Sequence, residues 1–275
     1  MSDPLTTIDE WPVTTAAAAV IGPGGVLSAR GPGEEPFPLA SVTKPLAALA
    51  ALVAVEEDAI ALDDPVLPEV IPGATLRHVM SHASGLSPDR RNRAAALGTR
   101  RIYSNVGIEV MAECIEHASG IAFDDYLHQA VFEPLGMTRS ALAGSPARDG
   151  VATVADLSAL LARLVEGPAG WLHETTLADA ASVQFPGLRG VVPGFGMQDP
   201  NDWGLGFEIR SAKSPHWTGS ANSPATYGHF GQAGTMFWVD PAAALGLVVL
   251  TDRDFGPWAA GAWPRLSDAV LARYG

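Results

Sequence analysis

Residues 46–55 read LAALAALVAV, ten positions without a polar side chain. Ala and Leu are strong helix formers, and a helix apolar on every side is one that the rest of a domain surrounds, so this run predicts a buried central helix. Before it, apolar segments at 14–21 and 26–30 flank Gly22-Pro23-Gly24-Gly25, which predicts two strands joined by a hairpin turn. Ala16 to Ala19 are weak strand formers, so that hairpin rests on its turn more than on its strands. After the central helix, Pro65, Pro68 and Pro72 keep the chain irregular. A capping Thr75 and helical spacing predict a short helix over 75–82, stopping at Ser84-Gly85.

Tyr103-Ser104-Asn105 opens an amphipathic helix whose apolar side carries Ile108, Val110, Met111, Cys114 and Ile115 and which ends near Ser119-Gly120. Residues 123–132 form a further helix, closed by Glu133-Pro134-Leu135-Gly136-Met137, and 156–165 another, with Leu157, Leu160, Leu161 and Leu164 on one side. Gly- and Pro-rich loops fill 187–200. From Trp203 the pattern turns to strands at 204–210, 234–239 and 245–251, with Asp240-Pro241 in the last turn, and 263–274 reads as a closing helix. Strands at both ends with helices between them predict an α+β fold, one sheet built from the two termini with a helical lobe inserted. The expected division is a sheet lobe of about 1–60 plus 203–275 and a helical lobe of about 61–202, in one catalytic unit.

The net charge of −13 over 275 residues and a sequence pI near 4.8 argue against nucleic acid or anionic membranes as partners. Cys114 is the single cysteine, which precludes an intrachain disulfide and suits a reducing compartment. The start, MSDPLTTIDEWP, lacks a basic segment followed by an apolar one, so no secretory signal is expected. No apolar run approaches the roughly 20 residues of a membrane span. A cytoplasmic protein is the expectation.

Of the 17 basic side chains only Lys44 and Lys213 are lysines. Lys44 follows Ser41 by three positions at the start of the apolar run, and residues at i and i+3 share a helix face. An amine beside a hydroxyl is the pairing a nucleophile and its base require. Arginine cannot yield its proton, whereas a buried lysine can be neutral, and the positive end of the helix dipole lowers its pKa further. An N-capping serine beside a solvent-reaching lysine is the plain alternative. His78 and His82 have the i, i+4 spacing of zinc ligands, but Val79 stands where a catalytic Glu would follow and no third ligand is evident, so helix-end packing is expected and no metal or other cofactor. Arg90, Arg91, Arg93, Arg100 and Arg101 read as a solvated surface. The chain contains no Gly-x-Ser-x-Gly elbow, phosphate-binding loop or full dinucleotide fingerprint.

Three motifs stand in order: Ser41-Val42-Thr43-Lys44, Tyr103-Ser104-Asn105 and His229-Phe230-Gly231. With the flanking Leu62-Asp63-Asp64-Pro65, Ser81-His82-Ala83-Ser84-Gly85-Leu86, Pro134-Leu135-Gly136-Met137 and Gly228 to Gly234, the chain resembles the serine β-lactamase and penicillin-binding-protein superfamily, in its branch of class C β-lactamases, DD-peptidases and esterases. The resemblance spans about residues 14–255. It implies a β-lactamase/transpeptidase-like fold, with an antiparallel sheet flanked by N- and C-terminal helices and an inserted all-helical lobe. Trp217-Thr218-Gly219-Ser220 is a rival for the third motif, but it runs into Asn222-Ser223-Pro224, whereas Gly228 to Gly234 leads into a strand.

The resemblance implies a metal-independent serine hydrolase in which Ser41 is the nucleophile and Lys44 or Tyr103 the base, a choice the sequence leaves open. Lys44 and His229 would lower the Tyr103 pKa. Asn105 would hold Lys44 or a substrate carbonyl, and the backbone N–H groups of Ser41 and Gln232 would receive the oxyanion. His229, Phe230, Gly231 and Gln232 would line the substrate site. Relatives usually carry Lys-Thr-Gly at the third motif, whose amine and hydroxyl meet a substrate carboxylate. Phe230 has no hydroxyl and His229 is largely neutral at pH 7, which favours small neutral acyl esters over β-lactams and D-aminoacyl peptides. A small-molecule ester or amide is thus the expected partner, a carboxylesterase the first expectation, a β-lactamase or DD-peptidase the second, and a non-catalytic acyl- or peptide-binding protein the third. The interval from Gly85 to Tyr103 is shorter than in many relatives, leaving the cleft open or completed by another chain.

Overall fold

The computed structural model describes residues 3–275; Met1 and Ser2 of the acidic start lie outside the described residues. A 3-10 helix, Pro4–Glu10, is capped by Asp3, which accepts the Leu5 N–H at 2.9 Å. The hairpin follows, β1 (Ala16–Gly22) and β2 (Gly25–Arg30), and then a two-residue strand, β3 (Phe37–Pro38). A 3-10 turn over Ala40–Val42 leads into α1 (Thr43–Glu56), in which every residue from Thr43 to Leu52 is buried. Its small alanines let other segments come close. A Cβ on Gly206 would overlap that of Ala48, so the 204–206 loop rests directly on this helix.

The insert carries α2 (Leu76–Met80), α3 (Asn105–Ser119), α4 (Phe123–Leu127), β4 (Ala141–Leu142), β5 (Gly150–Ala152), α5 (Val154–Glu166), α6 (Glu174–Ala180), β6 (Gly190–Val192) and β7 (Gly196–Gln198). The chain returns through β8 (Glu208–Ile209), β9 (Tyr227–Gly231), β10 (Thr235–Asp240) and β11 (Leu245–Thr251) to α7 (Pro257–Tyr274). The main sheet has the order β2-β1-β11-β10-β9-β8, antiparallel throughout, so the two chain ends meet in its middle.

Both faces of that sheet are covered, which is why the poor strand formers Ala16 to Ala19 form β1 after all. Ala17, Ala19, Ile21, Val248, Leu250 and Phe237 face the large core with α1 and α5. Ala18, Val20, Leu247, Val249, Trp238 and Phe230 face a second core with α7 and the N-terminal 3-10 helix. Small side chains there admit helices on both sides, and burial context outweighs intrinsic strand propensity. Each fully buried Leu, Ile, Val or Phe contributes about 1.5–3 kcal/mol.

The structure differs from the sequence expectation in four respects. The insert is not all helical: its β4 and β5 join β3 in one small sheet, and β6-β7 form another. α5, expected in the helical lobe, packs on β1 and β11. β8 is only two residues long, because Gly206 takes φ +82 where the chain bends onto α1. α7 starts at Pro257, six residues before the expected position, and continues through Pro264; Pro257 suits a first helical turn, where its missing N–H has no partner to lose. Among the described residues no helix is long and apolar enough to cross a membrane.

Candidate active site

Ser41 sits in the 3-10 turn that enters α1, after Ala40 in the left-handed region at φ +45. A non-glycine residue held there implies that its surroundings over-determine the backbone. They do so from both sides: the Leu39 N–H donates to the Gly150 carbonyl at 2.8 Å, and the Leu39 carbonyl accepts from Thr235 Oγ1 at 2.7 Å. A Cβ on Gly231 would collide with that same carbonyl, so only glycine lets β9 lie against the serine turn. The Ser41 side chain is not a helix cap; no side chain caps this helix start.

Lys44 Nζ lies 3.1 Å from Ser41 Oγ and donates to the Ala147 carbonyl at 2.7 Å. It is also 4.6 Å from the centre of the Tyr103 ring. No carboxylate bonds it directly. Burial, and after it the charge of Arg148, lower its pKa from 10.5 to about 7, with Asp89 and Glu109 partly opposing. The amine is thus part neutral at physiological pH, the state in which it can accept a proton.

His229 Nδ1 lies 2.6 Å from the Phe230 carbonyl oxygen. A carbonyl only accepts, so Nδ1 carries the proton and Nε2, 3.4 Å from the Tyr103 hydroxyl, is free to accept from it. Burial first, then the Lys44 charge, lower the His229 pKa to about 3, leaving it neutral. Tyr103 overturns the expectation that its neighbours acidify it. Desolvation among the rings of His82, Trp203 and His229 raises its pKa well above the ordinary value, outweighing the opposing influence of the nearby Ser41 hydroxyl. Burial thus favours the protonated phenol and the neutral amine, which makes Lys44 the better placed of the two candidate bases.

Asn105 does not meet Lys44. Its amide donates to Asp89 Oδ1 at 2.7 Å on the exposed side of the helix start. The rival triad is also displaced: Ser220 donates to Asp268 on α7 at 2.9 Å, and none of Trp217 to Ser220 reaches the serine cavity. His78 stacks on Phe185 and accepts from the Thr75 N–H, in a capping box. His82 instead turns inward at φ +58, and its Nδ1 accepts the Ser104 N–H at 3.2 Å. Its buried Nε2 has no hydrogen-bond partner among the described residues. Among the described residues no group of three His, Cys, Asp or Glu is placed to hold a metal ion.

Ser41, Tyr103, Pro193, Trp203, Glu208, His229, Phe230 and Gln232 enclose a cavity of about 190 Å³, room for roughly six water-sized groups. It lies where β8 has ended and the edge of β9 is open, since β8 pairs only with Tyr227 and Gly228. Gln232 is fixed by its carbonyl, which accepts the Phe255 N–H at 2.7 Å. The β6–β7 hairpin contributes Pro193 to the rim. A larger hollow of about 490 Å³, beside α3 and the 142–146 loop, shares no residue with this cavity. Pro193, Trp203 and Glu208 were not foreseen as site residues. Glu208 had one sequence signal, a lone acid in the apolar stretch Gly204 to Ile209.

Comparison with known proteins places this geometry. The family model described as Beta-lactamase matches residues 12–272. The crystal structure of a beta-lactamase from Mycobacterium bovis superposes with a TM-score of 0.96 at 53% identity, covering 99% of both chains. A simvastatin synthase variant from Aspergillus terreus shares the fold, with a TM-score of 0.82 at 17% identity over 99% of both chains. A Salmonella heidelberg protein, provisionally named D-alanyl-D-alanine carboxypeptidase, is 27% identical over 205 residues, 58% of this chain and 47% of its own length. The likeness to that relative therefore spans about half of it.

Proposed function

Since this chain belongs to the Beta-lactamase family of serine hydrolases, we propose that it is a carboxylesterase that cleaves small neutral acyl esters through an acyl-enzyme on Ser41. The observation that carries this reading is the 3.1 Å contact of Ser41 Oγ with a lysine amine of lowered pKa, beside a small cavity whose lining includes no cation. Neutral Lys44 takes the Ser41 proton as Oγ attacks the ester carbonyl. By family analogy, the backbone N–H groups of Ser41 and Gln232 receive the oxyanion. Protonated Tyr103 hands a proton to the departing alkoxide and is reprotonated from Lys44. Water then attacks the acyl-enzyme with the same amine as base, and the ammonium returns that proton to Ser41 Oγ as the acyl bond breaks, releasing acid and free enzyme.

Ester preference follows from what meets the substrate. His229 is neutral and Phe230 offers no hydroxyl, so a substrate carboxylate finds no charged donor; a charge-assisted hydrogen bond contributes about 1.5–3 kcal/mol, or ten- to a hundredfold in binding. A fluorophosphonate probe labels the native protein and not Ser41→Ala, and p-nitrophenyl esters turn over faster than nitrocefin. A well-folded protein that takes no label overturns the nucleophile assignment. The second reading, a β-lactamase, is favoured by the name of the Mycobacterium bovis relative. Nitrocefin turnover that exceeds ester turnover and is abolished in Lys44→Ala supports it over the esterase.

A further inference from the structure

Of the residues that line the Ser41 cavity, Glu208 alone is charged. Its carboxylate is buried and fully engaged on one side. Oε1 accepts from Lys213 Nζ at 3.0 Å and lies 3.2 Å from His216 Nε2, and Oε2 accepts from Trp217 Nε1 at 2.8 Å. Lys213 spends its other two donors on the carbonyls of Asp202, at 2.7 Å, and Ile209, at 2.6 Å. The His216 tautomer is set by the Thr218 N–H, which donates to Nδ1 at 3.2 Å, so Nε2–H points to the carboxylate. Burial alone would raise the Glu208 pKa, but Lys213, then His216 and Trp217, hold it well below the carboxylate range.

The orientation of this group is what matters for a ligand. Glu208 lines the cavity, whereas Lys213 and His216 do not. The ion pair therefore has its acid on the cavity side, with the Glu208 side chain only 1% exposed, and its cation behind. Removing a matched charge pair from water is expensive, and apolar side chains of the same size are often as stable, so core stability is a weak reason for a charge at this place. An ionised carboxylate has about four acceptor positions; Lys213, His216 and Trp217 fill three. One acceptor position is left without a protein donor among the described residues.

We propose that Glu208 sets the substrate preference of this site: it turns away acyl groups that carry a carboxylate, and it accepts one hydrogen bond from a hydroxyl or N–H on a neutral acyl group. This rests on the reading of Ser41 as an acyl-accepting nucleophile and specifies the substrate class of that same site. A carboxylate in so small a cavity lies nearer to Glu208 than to Lys213 and is repelled, while a donor gains a charge-assisted bond. Glu208 is a specificity determinant, not a participant in proton transfer.

The test compares kcat/KM for p-nitrophenyl 3-hydroxybutyrate, its near-isostere 3-methylbutyrate, and the hemisuccinate, in the wild type, Glu208→Gln and the charge-neutral double variant Glu208→Met/Lys213→Met. The wild type prefers the hydroxy ester to the methyl ester by about tenfold or more and disfavours the hemisuccinate by at least as much. Glu208→Gln, which removes the negative charge, raises hemisuccinate turnover relative to the methyl ester at least tenfold. The double variant, which carries both arms should the single variant fold poorly, loses the hydroxyl preference and the bias against the hemisuccinate. Fluorophosphonate labelling separates the two ways of failing. Labelled protein whose ester ratios are the same in wild type and variants, or a wild type indifferent to the three acyl groups, overturns the role of Glu208 alone. A wild type that takes no label overturns the nucleophile and this inference with it.

Discussion

Lys44 Nζ donates to the Ala147 carbonyl at 2.7 Å while lying 3.1 Å from Ser41 Oγ, so the amine is fixed by a neutral group and not by an acid. Without a bonded carboxylate to hold the proton, burial prevails and the pKa falls to about 7. In the proposed mechanism the active form is the neutral amine. kcat/KM therefore rises from pH 6 to a plateau above pH 8, with an apparent pKa near 7. Lys44→Arg cannot lose its proton and shows no such rise at any pH. A pH–rate profile of both proteins checks this; a rise retained in the arginine variant assigns the base elsewhere.

The same shift makes a stability prediction of definite sign. An amine with pKa about 7 folded and 10.5 unfolded binds its proton more weakly in the native state, so the unfolded chain is favoured increasingly as pH falls from 10.5 to 7. Below 7 the penalty is constant, on the order of 5 kcal/mol before the hydrogen bonds offset it. Between pH 7.5 and 9 the wild type gains about 2 kcal/mol from this group. Lys44→Met lacks that gain. Urea unfolding of both at the two pH values isolates it as a difference of differences.

Tyr103 keeps its proton because its phenol is desolvated among rings, and this separates a relay from a base. Tyr103→Phe lowers kcat by about 10²–10⁴-fold, the range for loss of a positioned proton donor, but leaves the apparent pKa near 7 where it was. Disappearance of that limb in the variant makes the phenol the base.

Gly231 is where β9 touches the nucleophile turn. A Cβ there meets the Leu39 carbonyl and lies 2.5 Å from Thr235 Oγ1, which itself donates to that carbonyl. Gly231→Ala pushes strand and turn apart, with a stability loss of about 1–3 kcal/mol, as for overpacking elsewhere. Fluorophosphonate labelling, measured well below Tm, slows by more than tenfold. Labelling at the wild-type rate places the serine turn independently of β9.

What the sequence disclosed and what it withheld divide along a physical line. Ser41 and Lys44 were legible because three residues along a helix is a local relation, and because the lysine is one of only two. Tyr103 and His229 were legible through motif order, and the structure brings them within 3.4 Å. The strands of the hairpin were legible through Gly24 and Gly25, both at positive φ in the turn. Properties set by depth were not legible. The protonation of Tyr103 depends on which rings enclose it, and Asn105 turns to Asp89 because a loop 16 residues earlier passes the helix start. Glu208 is a strand residue, as its sequence context suggests, but its partners Lys213, His216 and Trp217 come from the following loop.

Arg101 shows how one member of a charge cluster can differ from the rest. Arg90, Arg91, Arg93 and Arg100 are exposed as expected, whereas Arg101 is only 2% exposed. Its guanidinium donates to four carbonyls: Ser81 at 2.7 Å, Gln184 at 2.8 Å, Asn201 at 3.0 Å and Phe185 at 3.2 Å. Its backbone N–H donates to Arg189 at 2.9 Å, at the foot of the hairpin that carries Pro193. One planar fork thus ties together three segments, one of which, at Asn201, lies two residues before Trp203 of the cavity wall, and an ammonium cannot reproduce it. Arg101→Lys leaves buried carbonyls unpaired at about 1–3 kcal/mol each, so a loss of roughly 2–4 kcal/mol is expected, together with a raised KM because the segment that carries Trp203 loses its anchor at the Asn201 carbonyl. Arg100→Lys, on the exposed neighbour, changes stability by less than about 0.5 kcal/mol. Thermal unfolding and ester kinetics on the two variants check this; equal effects at both positions return Arg101 to the solvated surface.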